Sequence, residues 1–315
     1  MGAEKLSSRA IIGTFYQQLA MDPGAGWLDK ISMLFNSDQA SEEYAWLGQS
    51  PAMREWIGGR HAKGFRENGL TIKNKHFEAS IEVLVSELRR DKTGQVLARI
   101  RDLAARTNSH WASLLTSLII NGATTVCYDG QYFFDTDHSE GDSGTQSNKI
   151  NADISALPAI VHGSAVTAPS VEEMQQSIIL GIAQILSFKD DQGEPLNETA
   201  SQFLVMAPMS LYAVANNALA MPRGTNVSEQ KIPATFSVDL VVNARLSAWT
   251  DKFVVFRADG NVKPFIRQEE VGVALKAIAE GSELEFKEDK HQYGVDTWRN
   301  VGYGYWQQAC QVTLI

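Results

Sequence analysis

The stretch Gly94–Asn121, GQVLARIRDLAARTNSHWASLLTSLIIN, decides how the rest of the chain is read. Val96, Leu97, Ile100, Leu103, Ala104, Trp111, Leu114, Leu115, Leu118 and Ile119 recur at spacings of three and four, which marks one apolar helical face. Arg99, Arg101, Asp102 and Arg106 fall mostly off that face. Unbroken, such a helix is roughly 40 Å long at 1.5 Å per residue. Asp91 or Thr93 is the expected cap at its start and Asn121-Gly122 the expected stop. The polar run Thr107-Asn108-Ser109-His110 interrupts the stripe. Ser109 is of the type that caps a new helix, so a kink or break belongs there if anywhere. Periodicity alone describes an ordinary core helix equally well, so function has to be read from what flanks it.

Downstream, residues 122–138 read GATTVCYDGQYFFDTDH, and Asp129-Gly130 is a hairpin turn between short strands. Asp135, Asp137 and His138 form the cluster that most resembles metal ligands. The competing reading is a strand end whose aspartates bond to loop amides, and it is preferred because no second ligand cluster accompanies the first. A polar loop follows over 139–151. Ser170 and Glu173 form a capping box after Pro169, and a helix of about five turns runs from Val171 to Leu186. Phe203–Met206 is a short buried strand, Pro208 opens a helix towards Leu219, and Phe236, Val238, Leu240 and Val242 alternate as a strand. Phe253–Arg257 and Val262–Arg267 flank Asp259-Gly260 as a further hairpin, and Val271–Ala279 is read as a short helix. The tail, Leu284–Ile315, is rich in Tyr, Trp and Gly and reads as two or three strands returning beside the long helix. Its neighbouring Glu283, Glu285, Glu288 and Asp289 argue against a base-stacking surface.

Upstream, Ile11, Ile12, Phe15, Tyr16 and Leu19 give a short amphipathic helix, broken at Met21–Gly26. Trp27, Leu28, Ile31, Leu34 and Phe35 then resume an apolar face. So apolar an arm must dock on its own body or on a neighbour. Gly58, Gly59, Gly64 and Gly69, with Arg60, Lys63 and Arg66 between them, mark an exposed, bending excursion. Phe77, Ala79, Ile81, Val83 and Val85 alternate with polar neighbours as a strand. Trp46–Ile57 and Leu70–Val85 then become the two arms of a protruding hairpin.

The 315 residues suffice for one large or two ordinary domains. No run of ~18 apolar residues is present, so no membrane span is expected. No secretory signal is read at the N-terminus. Cys127 and Cys310 match no zinc or redox spacing and are expected as free, buried thiols. No Gly-x4-Gly-Lys-Ser/Thr loop is present and no cofactor is expected. The net charge of −9 is unevenly spread: residues 44–106 hold 12 basic and 7 acidic side chains, and residues 107–315 hold 13 and 24. A basic segment on an acidic body is either a nucleic-acid patch or one half of a self-complementary contact. The second is preferred, because an acidic chain of this size mostly repels phosphate.

Several strings together resemble one family. Tyr44-x-Trp46-Leu47-Gly48, Pro51-x-Met53-Arg54-Glu55-Trp56-Ile57-Gly58, Asn74-Lys75-x-Phe77-Glu78 and Tyr128-Asp129-Gly130-Gln131-x-Phe133-Phe134-Asp135-x-Asp137-His138 occur in order. With His291-Gln292-Tyr293-Gly294-Val295-Asp296, Arg299, Trp306 and Ala309, they are similar to the major head subunit of Mu-like bacteriophages and prophages, over roughly 10–315. The resemblance implies the α+β Hong Kong 97-type capsid fold. Its expected parts are an N-terminal arm (1–43), an extended loop (44–88), a peripheral domain (89–164) with the spine helix 94–121, an axial domain (165–260) and a return to the peripheral domain (261–315).

It also implies a virion major capsid protein, not an enzyme, that self-assembles through hexamers and pentamers into an icosahedral head around double-stranded DNA held without sequence-specific binding. The implied partners are copies of itself, a cement or decoration protein, portal and scaffold proteins, and no membrane; assembly would take place in the host bacterial cytoplasm. Arg54, Arg60, Lys63 and Arg66 are the expected cations facing acidic groups on a neighbour, with Trp46, Trp56 and Phe77 as the apolar contacts that matter more. The alternatives are a metal-dependent hydrolase using Asp135, Asp137 and His138, and a cellular nanocompartment shell of the same fold.

Overall fold

The computed structural model describes residues 7–22, 24–44, 69–90, 94–220 and 235–315. The long helix is one unbroken element, Gln95–Asn121. The polar run does not break it, because neighbours take up its side chains and leave the backbone ladder intact. Thr107 Oγ1 turns back to Leu103 O at 2.8 Å, and Asn108 Nδ2 donates outward to the carbonyls of Leu19 and Asp22. The ends also differ from expectation. Gly94, at φ +72°, caps the start without a side chain, while Asp91 and Thr93 lie outside the described residues. Gly122 is not a left-handed stop: its φ is −60°, and it is glycine because a Cβ there would come 2.5 Å from the Phe134 ring.

Two sheets flank this helix. The four-stranded sheet runs in the order Ser32–Asn36, Phe265–Ile278, Lys290–Tyr303, Lys75–Leu84. The five-stranded sheet runs Lys149–Ala152, Ala309–Leu314, Lys252–Arg257, Gln202–Ala207, Ser237–Val242. Helix Val171–Ser187, with the expected Ser170/Glu173 capping box, packs on the five-stranded sheet. Gly181 permits the close approach, since a Cβ there would meet Val255 Cγ2 at 2.8 Å. The last strand of the chain, Ala309–Leu314, lies inside this sheet, so residues 261–315 contribute to both sheets rather than to one.

Two local expectations are overturned. Val271–Ala279 is not a helix, since Phe265–Ile278 is one strand with irregular register near Glu269 and Val271. Pairing with Lys290–Tyr303 along its length overrides the weak local helical pattern. Asp259-Gly260 does not close a hairpin either, because Lys252–Arg257 and Phe265–Ile278 belong to different sheets. The Asp259 carboxylate accepts from Arg257 Nε and Ser201 N, both at 2.7 Å, which ties the turn to residue 201 and lets the chain cross between sheets.

The apolar face of the long helix divides between two cores. Ala112, Leu115 and Ile119 enter the larger one, with the five-stranded sheet, Phe133, Phe134 and Trp306. Val96, Ile100, Leu103 and Ala104 enter a smaller one with Ile11, Phe15, Val83, Leu275, Tyr293 and Val295. The arm helix Ser8–Met21 thus docks on its own body. Leu275 N donates to the Tyr16 hydroxyl, and the hydroxyls of Ser8 and Tyr293 are 2.8 Å apart. Beyond it, the expected second apolar helix shrinks to Leu28–Ile31 and becomes a strand, Ser32–Asn36, parallel to Phe265–Glu269.

Candidate functional site

The structure answers the metal-ligand expectation at the turn 122–138. Gly130, at φ +90°, makes the turn, and Cys127 N bonds to Gln131 O at 2.8 Å, with one bridge between Val126 and Tyr132. Asp135 and Asp137 do not converge with His138. Asp135 accepts from the amides of Tyr132 and Thr136, and Asp137 is exposed. His138, fully buried, meets Asp129 and Cys127 instead. Asp129 Oδ2 lies 2.6 Å from His138 Nδ1, and its Oδ1 accepts the Cys127 thiol at 2.9 Å. His138 Nε2 faces Asn148 Oδ1 at 3.3 Å, and the ring stacks on Trp306 at 4.0 Å and 9°. Asn148 is fixed in turn by Nδ2 donating to Phe133 O at 2.7 Å.

This cluster is a closed hydrogen-bond network. Burial works against ionisation of Asp129, but the bonds from His138 and Cys127 outweigh it and hold the carboxyl below its ordinary value. Burial and the Asp129 carboxylate push the Cys127 thiol far up, the opposite of what a nucleophile or thiolate ligand needs. Cys127, Asp129 and His138 have the donor types and proximity for a metal, yet both Asp129 oxygens and both ring nitrogens already face partners on this chain. The network therefore pins the turn against Trp306. The alternation Cys127-x-Asp129 was the signal in the sequence that placed two of these side chains on one side of a short strand.

The other predicted positions lie at the far end of the molecule. Trp46, Arg54, Trp56, Arg60, Lys63 and Arg66 fall outside the described residues. The strands flanking them, Ser41–Tyr44 and Leu70–Lys73, pair antiparallel, with Tyr44 opposite Leu70. Phe77 is half-buried, 4.4 Å from the His110 ring. It sits in strand Lys75–Leu84, an edge of the four-stranded sheet. Residues 271–278, 290–298 and 75–84 form a three-stranded ribbon. The smaller core covers one of its faces; the other carries His76, Glu78, Ser80 and Trp298, all exposed. At the ribbon's end the helix Glu283–Glu288 displays Phe286, 92% exposed. No described helix is long and apolar enough to cross a membrane.

Comparison with known proteins decides what such a molecule is. The sequence profile of the family described as "Mu-like prophage major head subunit gpT" matches residues 9–162 and 230–314. The chain belongs to this family. Among Mu-like head subunits, it is 26% identical over 281 residues to the Mu-like prophage FluMu major head subunit of Haemophilus influenzae, covering 89% of this chain and 64% of that protein. It is 31% identical over 138 residues to the major capsid protein of Escherichia phage Mu, covering 41% of this chain and 45% of that one. The chain thus spans less than two thirds of the length of these Mu-like relatives. In structure it resembles the subunit in the procapsid of bacteriophage JBD30, with a TM-score of 0.56 and 22% identity, over 98% of this chain and 76% of that one. The fold is the α+β fold of phage capsid subunits, as the sequence resemblance implied.

Proposed function

We propose that this chain is the major capsid protein of a tailed bacteriophage and assembles through hexamers and pentamers into an icosahedral head enclosing double-stranded DNA. Family membership makes the reading specific. The observation that carries it is the ribbon, a sheet extension with one core-facing side, one exposed side and an edge strand, Lys75–Leu84. Exposed edges and faces of this kind are normally covered or blunted. Covering them with further copies gives many modest contacts whose sum stabilises a shell.

In this reading residues 1–43 are the arm, 44–88 the extended loop, 89–164 the peripheral domain, 165–260 the axial domain and 261–315 the return. Trp46, Trp56 and Phe77 supply apolar contact to a neighbour, and Arg54, Arg60, Lys63 and Arg66 face its acidic body. A cement or decoration protein, a portal and a scaffold are the expected partners, with assembly in the host bacterial cytoplasm and residence in the virion. The acidic body keeps packaged DNA from sticking to the wall. Electron microscopy and sedimentation of the purified chain test this. Hollow particles or capsomers of uniform size are expected, and a strictly monomeric species at high concentration would overturn it.

A further inference from the structure

A cavity of about 190 Å³ opens between the spine helix and the two outer strands of the ribbon. Phe77, Ala79, Val295 and Leu103 give it an apolar wall, and His110 and Arg299 line its polar side. Arg299 is 2% exposed. It donates to Thr107 O and His110 Nδ1, both at 3.1 Å, and lies 4.7 Å over Trp111. No carboxylate among the described residues forms an ion pair with it. Burial, with Arg299 and Arg245 nearby, lowers His110 to about 4, so it is neutral near pH 7 and accepts from the guanidinium. The charge buried beside the apolar wall is therefore positive. Arg106 at the mouth adds to it, although it is paired with Asp102, and Glu78 also lines the mouth, its carboxylate accepting from Ser80 Oγ.

A site of this kind suits an aromatic ring carried on an acidic segment. A cavity of ~150 Å³ accepts a benzene ring. The chain itself displays the matching piece. Phe286 is the most exposed large apolar side chain among the described residues, and Glu283, Glu285, Glu288 and Asp289 surround it. It cannot reach the cavity of its own chain. From Lys290, at the base of the tip, to Thr297 on the cavity wall the strand extends ~20 Å at ~3.4 Å per residue.

We propose that Phe286 of one copy seats in the cavity between the spine helix and ribbon of the next copy, with its acidic flank facing Arg299 and Arg106. The contact rests on the assembly reading above and names one interface within it. It is separate from the basic segment 44–88, whose cations would bring like charge to Arg299.

The test is a cysteine pair in the full chain, Phe286→Cys with Ala79→Cys. Both native cysteines are buried, so background linkage is low. In assembled particles under mild oxidation, disulfide-linked dimers and longer ladders are expected on non-reducing gels. Linkage no greater than for a control pair, Phe286→Cys with Gln17→Cys, overturns the proposal while leaving assembly standing. In parallel, Phe286→Ala should cut particle yield about tenfold or more, as loss of a central aromatic anchor does, with unchanged circular dichroism of the subunit. Parental yield from Phe286→Ala overturns it. A parent chain that forms no particles overturns the assembly reading and this contact with it.

Discussion

The two halves of the spine helix sit in different company. Its C-terminal half is enclosed by the five-stranded sheet and by Phe133, Phe134, Tyr303 and Trp306, all from the same chain. Its N-terminal half shares a smaller core with an arm helix and one face of a ribbon. The first region buries a fully partnered Asp129–His138 network, whereas the second buries an arginine whose charge no described carboxylate pairs. One subunit thus combines a self-sufficient body with an outlying region that has less to bury. Local opening free energy follows buried apolar contact, so the outlying region should open first, and it is also the region with surfaces left to offer a neighbour.

Substitutions can break or sharpen that contrast. The largest effect is expected for Asp129→Ala, which leaves His138 buried without its counter-charge. Such changes cost ~3–5 kcal/mol, and urea unfolding of the whole chain should register it, with hydrogen exchange of the arm unchanged in rank. A loss confined to the turn 122–138 would show that the large core does not depend on this pair. Gly122→Ala comes next, because the new methyl group meets the Phe134 ring at 2.5 Å. Overpacking costs ~1–3 kcal/mol and should lower the global urea midpoint. An unchanged midpoint would mean that the ring moves freely, and the large core would be looser than described.

Asn108→Ala should act on the other region. It leaves Leu19 O and Asp22 O without their donor, a loss of ~1 kcal/mol. Amides of Ser8–Met21 should exchange several-fold faster while the global midpoint stays put. Equal slowing or speeding of both cores would erase the distinction between them. The smallest effect is acid release of the arm. Burial opposes ionisation of Glu280, but its bonds from Ser8 prevail and hold it at about 2 against an ordinary 4.5. A depressed carboxyl stabilises fully above its ordinary value and progressively less below it. Arm protection should therefore fall as pH drops from about 4.5 towards 2, and Glu280→Gln should flatten that dependence.

Elements with strong periodicity were legible in the sequence. The spine helix, the Ser170 capping box, the strand around Phe77–Val83 and the buried free cysteines all follow from spacing or residue type. The metal-like cluster was half legible. His138 is a buried node as its surroundings hinted, but its partners are Asp129 and Cys127 across the turn rather than Asp135 and Asp137 beside it. Neighbours in sequence within a strand end point in different directions, and only the folded turn decides which carboxylate arrives. Val271–Ala279 failed for a related reason: a short ambiguous pattern takes the conformation its pairing partner dictates.

By itself the sequence determined the long amphipathic helix, the uneven charge and a string of motifs specific enough to name a family. These are local properties, set by spacing along the chain. Tertiary structure decided that the helix serves two cores, that its polar waist holds the arm and Arg299 instead of breaking, and that an acidic, Phe-tipped end lies too far from a basic cavity in the same chain to fill it. Those facts depend on distances between residues remote in sequence, which no periodicity encodes.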